Sequence, residues 1–111
     1  NKLLSAVIEA IKEKKGFDIT VIDISKQSSF ADYFVICTGV SNVQTNAIAD
    51  NVLRRAKRIS KPSGIEGESA GVWILIDFGD IIVHVFQSDT RERFSLEKLW
   101  ADGDITKIEE E

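Results

Sequence analysis

Leu3, Leu4, Val7, Ile8 and Ile11 recur at three- and four-residue intervals, so residues 2–15 are expected to form an amphipathic helix. Lys12, Lys14 and Lys15 suit the negative end of its dipole, and Gly16 stands where a left-handed residue would stop it. The period then changes to two. Phe17–Ile24 is β-branched and mostly alternating, as in a strand, and Ser25–Asp32 is polar and irregular. Tyr33–Thr38 is a continuous apolar run closed by Gly39, the pattern of a strand covered on both faces. Helical spacing returns in Ser41–Ile59, where Ile48, Ala49, Val52, Leu53, Ala56 and Ile59 form one stripe and Asp50, Arg54, Lys57 and Arg58 lie opposite. Ser41 followed by Gln44 fits a capping box, and Pro62 biases Lys61 out of the helix. Ser63–Ala70 reads as a loop with a short edge strand at Ile65-Glu66.

The strongest local signal is Gly71–Phe86, in which two apolar runs are separated by Gly79-Asp80. Gly tolerates the positive φ of a tight turn, so the stretch predicts a β-hairpin. Alternation puts Val72, Ile74, Ile76 and Phe78 on one face, with Val72 expected in the core, and Trp73, Leu75 and Asp77 on the other. On the second strand Ile81, Val83 and Val85 oppose Ile82, His84 and Phe86. The face with Trp73 also carries a carboxylate, which a dry core tolerates poorly, so it reads as a partly open surface with an aromatic anchor. A short helix near Thr90–Phe94 follows. Leu96, Leu99 and Trp100 then form a second apolar stripe, and the acidic segment 102–111 is expected to fray. The resulting order, α-β-β-α-(β)-β-β-α, predicts one α/β domain over residues 1–111, a mixed sheet flanked by helices.

Composition narrows the function more by exclusion than by assignment. At 43% hydrophobic and 29% charged residues, the 111-residue chain is ordinary for a globular domain. No apolar run approaches the roughly 20 residues of a membrane span, and residues 1–16 show no secretory signal pattern. The single cysteine excludes an internal disulfide. It points to a reducing compartment, the cytoplasm of a bacterium, or an organelle if the chain is an organellar homologue. A net charge of −4 argues against nucleic-acid binding through bulk charge and suits a basic protein partner.

Several motifs approach known chemistry and fail. Ser41, Asp77 or Asp80, and His84 occur in the order of an α/β-hydrolase triad, but the nucleophile motif lacks its final Gly and Ser41 is needed as a helix cap. Asp77-Phe78-Gly79 spells the kinase magnesium motif without the rest of a kinase. Gly64-Ile65-Glu66-Gly67 has no Lys-Ser/Thr behind it, so it is no P-loop. His84, the only histidine, cannot found a zinc site and reads as a packed side chain or a partner contact; Cys37, in the most apolar strand, reads as a small hydrophobe. Neither a metal nor another cofactor is expected. Arg54, Arg55, Lys57, Arg58 and Lys61 form the basic cluster, either a solvated helix end or, through Arg54, Lys57 and Arg58, a contact with RNA phosphates.

Longer motifs carry a resemblance. Ser29–Gly39, Ser41, Gly64-Ile65-Glu66-Gly67, Trp73–Phe86, Arg93-Phe94 and Leu96-Glu97-Lys98-Leu99-Trp100, in this order and spacing, resemble the ribosomal silencing factor (Iojap/RsfS) family over nearly the whole chain. The resemblance implies a nucleotidyltransferase-like fold without catalytic residues. It also implies a non-enzymatic repressor that binds the large ribosomal subunit through ribosomal protein uL-fourteen and blocks joining of the small subunit. The family's binding surface lies on the hairpin region, which maps here onto Trp73, Leu75, Asp77, Asp80, His84 and Phe86. A peripheral contact with ribosomal RNA is compatible with the basic helix end, and pairing into a homodimer with the open apolar face. The alternative is a nucleotide-binding or residual nucleotidyltransferase enzyme using Asp77 and Asp80, although their separation across a hairpin turn is unlike the close carboxylate pair that holds two metal ions.

Overall fold

A computed structural model describes residues 1–109. The elements run α1 (Lys2–Glu13), β1 (Phe17–Asp23), β2 (Tyr33–Gly39), α2 (Asn42–Ala56), β3 (Gly64–Glu66), β4 (Trp73–Asp77), β5 (Ile81–Gln87), α3 (Ser88–Phe94), α4 (Leu96–Leu99) and β6 (Asp104–Lys107). The strands make one six-stranded mixed sheet in the order β3-β4-β5-β2-β1-β6. β2 and β5 pair in parallel, and the other neighbours are antiparallel.

Each face of the sheet has its own core. Ile19, Val21, Val35, Cys37, Ile74, Ile76, Val83 and Val85 face α1 and α2, which contribute Val7, Ile11, Ile48 and Val52. Ile22, Phe34, Ile36, Ile82 and Phe86 face the other way, where the chain after β5 crosses as a strap bearing Leu96 and Trp100. The helix layer is tied by polar groups as well. Gln44 accepts from the Val40 N–H and donates to the carbonyls of Lys14 and Lys15, while Ser41 Oγ accepts from Gln44 N at 3.1 Å. The capping box therefore forms, with Gln44 reaching one residue further back than the usual pair.

Four expectations need correction. The left-handed residue after α1 is Lys15 (φ 63), not Gly16. Gly16 is required for space, because a Cβ there would lie 2.4 Å from Ile11 Cγ2. Ile59 falls beyond the end of α2 and is exposed rather than part of its stripe. Val72 is 43% exposed, because β4 begins one residue later and the chain turns at Gly71 (φ 70); Ile74 is the first buried residue of that face. The acidic segment does not fray as a whole: Asp104–Lys107 pairs with Thr20–Asp23 as an edge strand, and residues 110–111 lie outside the described ones.

Candidate partner-binding face

The hairpin forms as the pattern predicts. Gly79 takes φ 89, the Phe78 N–H donates to the Ile81 carbonyl at 2.9 Å, and Trp73 pairs with Phe86, Leu75 with His84 and Asp77 with Ile82. Trp73, Leu75 and Asp77 are all partly buried, so this face of β4 is half open, whereas Ile74 and Ile76 between them are sealed.

Trp73 is held from below and from one side. Its Nε1–H donates to His84 Nδ1 at 3.0 Å. The indole stacks on Phe86 with centroids 4.9 Å apart, and Phe94 of α3 lies against it at 4.6 Å. His84 is 3% exposed and its ring meets Phe34 edge-on at 4.8 Å. Burial drives the His84 pKa down from 6.5 to about 4, so the ring is neutral at pH 7. A neutral ring that accepts at Nδ1 carries its proton on Nε2, and that nitrogen is buried without a hydrogen-bond partner. The only histidine thus serves as a neutral acceptor that fixes the indole's orientation.

With its polar atom satisfied inside, Trp73 can offer only apolar surface outward. Beside it the strap adds Phe94 at 47% exposure, and farther along the same layer Phe30 is 58% exposed beside Trp100, at a centroid distance of 6.1 Å. Trp100 in turn packs edge-on to Phe34 at 5.4 Å, so Phe30, Trp100, Phe34, His84, Trp73 and Phe94 form one connected aromatic layer. An open apolar patch of this kind on a small domain is a mark of a protein-binding surface.

The residues predicted for this site divide. Trp73 and Leu75 reach the surface. His84 and Phe86 share their face but are buried beneath the indole and the strap, so they support the surface from within rather than touch a partner. Asp77 does not sit beside the indole: its Oδ1 accepts from the Gly79 N–H at 2.7 Å and shapes the turn. Asp80 occupies the turn itself, where its carbonyl accepts from Asp32 and Tyr33, at the end of the hairpin opposite to Trp73. Arg54, Lys57 and Arg58 lie on the helix layer behind the sheet, with Arg54 bound to Asn51 Oδ1 and Lys57 and Arg58 exposed. Phe30 and Phe94, outside the expected site residues, are the exposed members of this aromatic layer. The signal for them was the run of large apolar residues in segments too short to bury them.

The Asp77 carboxylate is spent on the turn and Asp80 enters it through its backbone carbonyl, and no group of three or more His, Cys, Asp or Glu side chains is assembled for a metal among the described residues. Ser41 Oγ serves as the α2 cap while His84 faces Trp73, so the apparent triad is not brought together. No helix among these residues is long and apolar enough to cross a membrane.

The family model described as "Ribosomal silencing factor during starvation" (RsfS) matches residues 1–111. The chain belongs to the ribosomal silencing factor family. It is 41% identical over 100 residues to the ribosomal silencing factor RsfS of Haemophilus influenzae, covering 89% of this chain and 98% of the relative. Among solved structures, a Chromobacterium violaceum protein superposes with a TM-score of 0.87 at 36% identity, over 89% of this chain and 83% of that one. A protein from Bacillus halodurans gives 0.83 at 34% identity, over 96% and 97%. The mixed sheet and its flanking helices are thus the architecture of these RsfS-family neighbours.

Proposed function

We propose that this chain is a non-enzymatic translation repressor that docks the Trp73 face on ribosomal protein uL-fourteen of the large subunit and so obstructs joining of the small subunit. Family membership supports the ribosomal role. The observation that carries the choice of surface is Trp73 itself. It is partly open, its N–H is bonded internally to His84, and half-exposed Phe94 lies against it. Such a rigid aromatic with no polar demand of its own suits the centre of an interface, and the ring of less critical contacts around it excludes water. The net charge of −4 favours encounter with a basic ribosomal protein by steering.

A peripheral contact with ribosomal RNA belongs to the same proposal. Lys57 and Arg58 are exposed beyond the end of α2 and make no ion pair among the described residues, whereas Arg55 is paired with Glu13. They would meet phosphates at the margin of the complex. A homodimer would use the same aromatic face, so ribosome and second copy would compete for it. The test is a subunit-joining assay with purified large and small subunits. Saturating protein should lower the yield of joined ribosomes, and Phe94→Asp, which sets a charge against the indole at a half-exposed position, should restore it. Normal joining at saturation would overturn the proposal.

A further inference from the structure

The net charge of −4 averages two unlike halves. Residues 1–16 and 40–62, which supply α1, α2 and their flanking turns, hold nine of the 14 Lys and Arg residues but three of the 18 Asp and Glu, a net +6. The remaining residues, which include the sheet and the strap, stand at −10 and carry all nine aromatic side chains. The fold keeps these halves apart, with the helices on one face of the sheet and Trp73, Phe94 and Trp100 on the other.

The fold also joins the basic clusters of the two helices. Lys14, just after α1, and Arg54, near the end of α2, line one shallow hollow of about 340 Å³ together with Ala47, Asp50 and Asn51. Lys14, Lys15, Arg54, Lys57, Arg58 and Lys61 are all exposed. Among the described residues the ion pair of this layer is Arg55 with Glu13, and its other cations have none. Helix dipoles explain part of the clustering, because both helix C-termini attract cations. That effect fades beyond the last turn, where Lys12 serves α1 and Arg54 and Arg55 serve α2. Lys14, Lys15, Lys57, Arg58 and Lys61 all lie past those turns, so the dipoles do not account for them.

We infer that the outer face of the helix layer is a second docking surface, fitted to the phosphate backbone of double-helical RNA. A protein partner would call for a central aromatic or apolar anchor, and the helix layer has no aromatic residue to offer. Unpaired bases would likewise call for aromatic rings to stack on. Duplex phosphates need only spaced cations, which this surface has. The inference extends the marginal contact of Lys57 and Arg58 across to the end of α1, and takes from family membership only the choice of RNA over DNA. It does not use the Trp73 face, so the chain could hold an RNA helix while that face is occupied.

Fluorescence anisotropy of the full chain with a labelled RNA duplex of about 16 base pairs tests this. A dissociation constant on the order of 10–100 micromolar is expected at 0.1 M salt, as for non-specific binding. Lys14→Gln, Lys57→Gln and Arg58→Gln together should weaken it roughly tenfold or more. The logarithm of affinity should also fall less steeply with that of salt, by about 0.9 for each phosphate no longer neutralised. Arg93→Gln, Lys98→Gln and Lys107→Gln, exposed cations outside the helix layer, remove the same charge and should change affinity less than about twofold. No binding of the duplex, or equal losses in the two triple variants, would overturn the inference. So would equally tight binding of polyglutamate, or binding of phosphatidylglycerol vesicles in place of the duplex. The assay contains no ribosomal protein, so its failure is distinct from failure of the subunit-joining test.

Discussion

Trp73 Nε1 and His84 Nδ1 lie 3.0 Å apart across the β4–β5 hairpin, in a bond that exists only while the histidine is neutral. Protonation would put a second N–H where the indole needs an acceptor, and it would leave a cation beneath an aromatic layer.

Stability should therefore depend on pH through this pair. The His84 pKa is depressed from 6.5 to about 4 by burial, so between these values the unfolded chain binds a proton that the folded chain does not. The contribution of the neutral ring is complete above pH 6.5 and is lost as the pH falls toward 4. It amounts to about 3 kcal/mol from the size of the shift. Denaturant titrations between pH 7 and 4 should show this decline. His84→Gln, which keeps an acceptor but cannot titrate, should flatten most of it.

Neighbouring residues of the hairpin should respond very differently to truncation. Ile74→Ala empties a fully buried position and should cost on the order of 2–5 kcal/mol, whereas Val72→Ala should stay within roughly 0.5 kcal/mol. Urea midpoints for the two variants check this. A large loss at Val72 would mean that the start of β4 is misplaced.

Arg91 should decide whether the strap stays on the sheet. α3 buries no residue of its own, yet the Arg91 side chain is only 13% exposed and binds β1, β2 and Glu97. Arg91→Met should cost about 2 kcal/mol, less than a fully dry ion pair because the Glu97 side chain is 34% exposed. Limited proteolysis should then cut within residues 88–100 faster than elsewhere.

Salt dependence separates the two faces of the molecule. If Lys57 and Arg58 meet RNA phosphates, replacing both by Gln should make the logarithm of ribosome affinity fall less steeply with the logarithm of salt, by about 0.9 for each duplex phosphate no longer neutralised. An unchanged slope would return both side chains to the solvent.

Much of this architecture was legible because it is local. Gly79 marked the turn, alternation sorted the two faces of β4 and β5, and Ser41 with Gln44 marked the start of α2. What escaped was set by distant contacts. Alternation put His84 and Phe86 on the correct face, but the cover that buries them comes from Trp73 on the neighbouring strand and from the strap beyond β5. Asp77 has the expected orientation, yet a nearby backbone N–H claims its carboxylate. Composition marked 102–111 as acidic and loose, but an edge strand needs only a backbone to pair with, and β1 supplies one to β6. The role of Arg91 was invisible, because Thr20 and Thr38, its partners, are far away in sequence.

In the proposed docking, Trp73 anchors the contact with the large subunit. Its most direct test is the dissociation constant of Trp73→Ala for purified large ribosomal subunits, referred to the folded fraction measured by a thermal melt. The indole stacks on Phe86 and bonds to His84, so some loss of melting temperature accompanies the substitution. Beyond that loss, affinity should be weaker by roughly 2 kcal/mol or more, about thirtyfold. A variant that melts earlier while its folded fraction binds as tightly as the unmodified chain would contradict it and make Trp73 a residue of the core.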